Sequence, residues 1–142
     1  MVRYLRAFED PLADKTVRVG IYDDPDKAGY LTPAVLAAAK AALDAAEAAV
    51  PAGPYRDRVD EAGLGLREID LDSTIPPAGA SPADRAAYRK RFNAFVADLH
   101  RFGVTAIAEG YSTEAYVADR DKAIGDDPTH AQAPVSGALD RL

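Results

Sequence analysis

Three carboxylates stand where this chain could do chemistry. Glu109 follows the apolar segment VTAIA and precedes Gly110. A carboxyl group held there at the mouth of a cleft would have its pKa raised by desolvation and could exchange a proton with a ligand. Asp23 and Asp24, with Asp26 close by, crowd the turn Tyr22-Asp23-Asp24-Pro25-Asp26-Lys27, where their oxygens could take calcium or sugar hydroxyls. A calcium-binding helix-loop-helix alternates its ligands and needs Gly at the sixth loop position and Glu at the twelfth. This turn does not supply that pattern, and a solvated Asp-Pro turn before a helix accounts for the same residues. For Glu109, two-carboxylate glycoside chemistry needs a partner at a defined separation, and the sequence names none; orienting the following loop is the simpler role. Asp23, Asp24 and Glu109 therefore stand as ligand candidates, and no catalytic, cofactor-binding or metal-binding residue is assigned.

Other chemistries find less support. The chain has no Cys, which excludes thiol catalysis, disulfides and Cys-based zinc sites. His100 and His130 are too far apart in sequence to suggest a His-rich metal site. Ser73, Ser81, Ser112 and Ser136 sit in no nucleophile motif, and no Gly-rich phosphate loop is present. Arg85, Arg89, Lys90 and Arg91 form a locally basic run, but their angular spread around a helix reads as a solvated face. A net charge of -6 and a pI near 4.8 argue against nucleic acid or an anionic membrane as partner. No apolar run approaches the roughly 20 residues of a membrane span, and MVRYLRAFEDPLADK lacks the apolar core of a signal peptide. As written, the chain is expected to stay in the cytoplasm, with no cofactor.

The elements that would position these groups are read from apolar spacing. Residues 81–103 carry Tyr88, Phe92, Phe95, Leu99 and Phe102 at intervals of four, three, four and three, one face of a helix. Ser81 caps its start, Pro82 suits its first position, Asp84 matches its dipole, and Gly103 closes it. Thr32 and Pro33 open an alanine-rich helix to about Val50, with Val35, Leu36, Ala39, Leu43, Ala46 and Val50 on its buried stripe. A third helix from Pro54 carries Tyr55, Val59, Ala62, Leu66 and Ile69, with Gly63 and Gly65 marking a bend or a close approach. A short helix with Val2, Leu5 and Phe8 on one face precedes Pro11, which stops or follows it. A last helix runs from Ser112 or Thr113 to Ile124. Residues 16–22 alternate Val17, Val19 and Ile21 inwards as an extended segment, and residues 104–110 form a second short apolar one. The expectation is an all-α bundle of four to five helices with one or two short extended segments, a helical domain over residues 1–125 and a flexible tail over 126–142.

The run from Gly20 to Val50 and the segment YRDRVDEAGLGLREIDL, together with residues 92–110, resemble a bacterial family of unknown function with glycoside-hydrolase-like architecture. Leu31, Thr32, Pro33, Arg58 and Val59 are the matching positions, and they are packing and capping residues. The resemblance implies the helical region that follows a (β/α)-barrel in proteins similar to hexosaminidases and α-glucuronidases. Such a barrel holds the catalytic residues at its strand ends and needs about 200 residues or more, for which this chain has no room. The resemblance thus implies a non-catalytic accessory domain of a carbohydrate-active protein, with a catalytic barrel or a glycan as partner. The alternatives are a stand-alone helical interaction module and, more weakly, a small hydrolase using Glu109 with Asp23 or Asp24.

Overall fold

The computed structural model describes residues 1–13 and 28–125. Among them the chain forms six helices and one small hairpin: α1 (Val2–Leu12), α2 (Pro33–Ala49), α3 (Pro54–Ala62), α4 (Leu64–Ser73), α5 (Pro82–Arg101), β1 (Ala106–Ala108), β2 (Tyr111–Ser112) and α6 (Thr113–Ile124). The all-α bundle with short extended segments expected from sequence is what is found. The expected segment over 16–22, the turn with Asp23 and Asp24, and the tail over 126–142 lie outside the described residues.

Local chemistry sets the helix ends. Thr32, Ser81 and Ser112 each accept a hydrogen bond from the backbone N–H three residues on, filling a donor that the first turn leaves open. At the far end of α5, Gly103 adopts φ +69°. Its N–H reaches the His100 carbonyl at 3.1 Å, and the Val104 N–H reaches that of Leu99 at 2.9 Å. That pair of bonds is a Schellman motif, and it turns the chain into the hairpin, where β1 and β2 pair antiparallel with an irregular register.

Packing divides the interior into two apolar clusters. In one, Tyr88, Phe92, Phe95 and Leu99 of α5 meet Tyr116 and Ile124 of α6 and Leu71 of α4. Tyr116 is its hub, with ring centroids 6.1–6.2 Å from those of Phe92, Phe95 and Tyr111. In the other, Tyr4 of α1 meets Ala39 and Leu43 of α2, Val59 of α3 and Leu66 of α4. Helix α4 therefore contributes to both, Leu66 to one and Leu71 to the other.

Several sequence expectations change in three dimensions. Pro11 lies inside α1, where it gives no N–H to the Ala7 carbonyl, and the helix ends one residue later. The buried face of α1 is built on Tyr4, with Ala7 and Phe8 beside it, while Val2 and Leu5 face outwards. Tyr55 is exposed rather than part of the third stripe. The third helix is two helices, because the chain breaks at Gly63. A Cβ at Gly63 would lie 2.7 Å from Leu43 Cδ2, so this glycine marks a close approach to α2. Nor is the basic run simply solvated. Arg85 bonds the carbonyls of Pro77, Ala78, Ala80 and Ile124, Arg89 pairs with Asp121, and Arg91 pairs with Asp70. These arginines tie the loop after α4 and the ends of α4 and α6 to α5.

Gly63→Ala should destabilise the protein by about 1–3 kcal/mol, because Leu43 is itself packed in the core and has little room to yield. Gly65→Ala, which meets open space, should be neutral or stabilise by up to about 1 kcal/mol. Urea denaturation of the two variants checks both signs.

Candidate functional site

Where the two clusters meet, α4 turns a third face towards α1. Gly65, Glu68, Ile69 and Asp72 share that face with Leu66 beside them, as spacings of three and four dictate. Opposite stand Tyr4 and Phe8 of α1 with Tyr30 and Leu31 ahead of α2, enclosing a cleft of about 340 Å³. The aromatic wall is fixed in place. Tyr4 is buried, donates from its hydroxyl to the Ala62 carbonyl at 3.1 Å, and meets Phe8 edge to face at 5.3 Å. Burial holds the Tyr4 phenol above its ordinary pKa, so it stays neutral and keeps that hydrogen bond.

The polar floor of the cleft is assembled across helices. Asp72 accepts from Arg120 Nη2 at 2.6 Å and from the Tyr116 hydroxyl at 3.0 Å, both on α6. The Arg120 guanidinium also lies 5.0 Å from the centroid of the Tyr116 ring, a cation–π arrangement. Glu68, one turn before Asp72, has no hydrogen-bond donor of this kind among the described residues. Burial first, and then the neighbouring Asp72 carboxylate, raise its pKa to about 7, against the pull of Arg120. Near neutral pH this carboxyl group is poised between its two states. It can accept hydrogen bonds, donate one, or pair with a cation. Behind the floor, burial raises the phenols of Tyr88 and Tyr116 as well.

A second concavity, of about 360 Å³, lies between α2, α3, α4 and α5. It is rich in charge but already neutralised from within: Lys40 pairs with Asp44, Arg56 with Glu47 and Asp60, and Arg67 with Asp98. Such half-exposed pairs contribute little stability each, and they leave few polar atoms for a ligand. Among the described residues no group of three or more His, Asp or Glu is placed to hold a metal, and no helix is long and apolar enough to cross a membrane.

Of the ligand candidates read from sequence, Glu109 is exposed at the turn of the hairpin, next to Gly110 at φ +73°, and it does not line the α1–α4 cleft. Asp23 and Asp24 lie outside the described residues. His100 is exposed in the last turn of α5. The residues that sequence reasoning missed are Glu68 and Asp72, with Tyr116 and Arg120 behind them. One signal was present: Glu68 and Asp72 are spaced by four on a helix that otherwise alternates apolar stripes. The partner of Asp72 lies 48 residues further on, however, and Arg120 looked like any other charge on the last helix.

The site thus belongs to the class of small, aromatic-walled clefts with a few convergent polar groups, the usual form of a small-molecule site. Comparison of the chain with protein-family models, with curated proteins and with solved structures finds no match.

The raised pKa of Glu68 carries a consequence for stability. Between its ordinary value of 4.5 and about 7 the folded protein holds a proton that the unfolded chain has released, so stability falls as pH rises through this window. Glu68→Gln removes the penalty. The variant should resemble the parent near pH 4.5 and become progressively more stable than it up to about pH 8, as urea titrations at several pH values would show.

Proposed function

We propose that this chain is a non-catalytic helical domain that holds a glycan in the α1–α4 cleft, as an accessory part of a glycoside-hydrolase-like, carbohydrate-active protein. The observation that carries this reading is the lining of the cleft, where Tyr4, Phe8 and Tyr30 stand together with Glu68 and Asp72. Ring faces suit the C–H surface of a sugar, and carboxyl oxygens suit its hydroxyls. A volume near 340 Å³ lies at the lower end of the range for ligand sites and fits a short oligosaccharide end better than a long chain. The non-catalytic part of the reading rests on Asp72. Its two oxygens are engaged by Arg120 and Tyr116, which leaves Glu68 without the second free carboxylate that glycoside hydrolysis uses. The accessory role comes from the family resemblance.

Titration with neutral mono- and disaccharides, followed by amide chemical shifts, tests the reading. Shifts should concentrate at Tyr30, Gly65, Glu68 and Ile69, and Tyr30→Ala should weaken binding by up to about tenfold, the scale of one aromatic contact. Absence of shifts in the cleft, or clear glycoside turnover by the isolated chain, would overturn it.

A second reading, a helical interaction module, is favoured by one feature. Met1, Val2, Leu5 and Leu12 are 42–66% exposed along α1, a row of apolar side chains of the kind that partner helices cover. Under this reading Leu5→Asp abolishes a specific protein association and leaves the melting temperature within a degree or two, while sugars do not change it. Pull-down and thermal melts of the parent and the variant separate the two readings.

A further inference from the structure

Among the described residues, two carboxyl groups line the cleft and one guanidinium reaches them. Glu68 and Asp72 both line it, and the cation that reaches them, Arg120, is committed to Asp72 through Nη2. Among the described residues the other walls bring no positive charge: α1 contributes Tyr4 and Phe8, and the chain before α2 contributes Tyr30 and Leu31. From α6, Arg120 and Tyr116 meet Asp72, and from α5 the Tyr88 phenol lies within the field of Arg120 and Asp72. Tyr88 is 2% exposed, and its hydroxyl finds no hydrogen-bond partner among the described residues; the same holds for the buried Arg120 Nε. Those two groups lie behind the cleft and not on its lining, so the group that faces the cleft without a cation of its own among the described residues is Glu68.

We infer that the cleft selects a ligand carrying an organic ammonium group, seated against the faces of Tyr4, Phe8 and Tyr30 and paired with the carboxylate of Glu68. Aromatic faces attract such cations through the ring quadrupole, most strongly where water is excluded, and a half-buried carboxylate supplies the counter-charge. This inference rests on the cleft being the ligand site proposed above, and it narrows the ligand to an amino sugar over a neutral one. Binding is coupled to loss of the Glu68 proton, since only the ionised carboxylate pairs with the cation. Affinity therefore rises with pH through the range in which Glu68 ionises.

The test compares matched probes by amide-shift titration of the full chain: choline against its uncharged isostere 3,3-dimethylbutan-1-ol, and glucosamine against glucose. Choline keeps its charge at every pH, so its pH dependence reports on the protein. The expected result is choline binding at least about tenfold tighter than the isostere, a difference of about 1.4 kcal/mol. Choline binding should also be at least about tenfold tighter at pH 8.5 than at pH 5.5, and Glu68→Gln, checked for folding by circular dichroism, should flatten that pH step. Equal binding of choline and its isostere, or an affinity that does not change with pH, overturns the inference. Equal binding of glucose and glucosamine overturns it while leaving the glycan reading standing. Choline binding with no response to either sugar supports the ammonium preference of the cleft but removes the glycan reading and the amino sugar with it, and silence from all four probes removes both.

Discussion

Helix α4 is ten residues long and has to serve two apolar cores at once. Leu66 completes the cluster of α1, α2 and α3, and Leu71 completes the cluster of α5 and α6. A helix that buries two faces has little surface left, and what remains on α4 falls along the seam where the cores meet. Side chains there are only partly covered, yet far enough from bulk water for their charge to matter. That is why burial raises the pKa of the Glu68 carboxyl group. The candidate site follows from the division of the interior.

Tyr116 joins that packing to the chemistry. Its ring sits among Phe92, Phe95 and Tyr111, each contact worth about 0.5–1.5 kcal/mol beyond the area it buries. Its hydroxyl emerges from the cluster to hold Asp72. A residue locked by its neighbours positions its polar tip with little remaining freedom, and Asp72 is held in turn. Arg120 adds a charge-assisted bond to the same carboxylate, stronger than a neutral one. Glu68 receives neither, so two chemically similar acids one turn apart differ in their engagement. Among the described residues the difference leaves Glu68 as the carboxyl group without such a bond.

The arginines of α5 show a related economy. Arg85 gathers four carbonyls from the loop after α4 and the end of α6, adding side-chain donors where the loop and the helix end supply few from the backbone. Arg89 and Arg91 reach carboxylates on α6 and α4. As isolated surface ion pairs these would contribute little. Their effect is to fix where α4 and α6 lie against α5, and hence where Asp72 and Arg120 meet.

By itself the sequence determined the local elements. Ser81 and Gly103 bracket α5, Thr32 opens α2, Ser112 opens α6, and the four-three spacing of Tyr88, Phe92, Phe95 and Leu99 marks a face that is indeed buried. Caps and helical periodicity act within a few residues, and so they can be read without a fold. Spacing put Val2, Leu5 and Phe8 on the buried face of α1, and in the fold Tyr4 takes the place of Val2 and Leu5. The sequence marked Gly63 as a bend or a close approach, but not that Leu43 would be the neighbour, nor that Tyr55 would stay outside. Only the tertiary structure decided the site, because desolvation and charge pairing depend on neighbours brought together through space. Glu68 and Asp72 are four residues apart, but Arg120, Tyr116, Tyr4 and Phe8, which give them their character, come from both ends of the described chain.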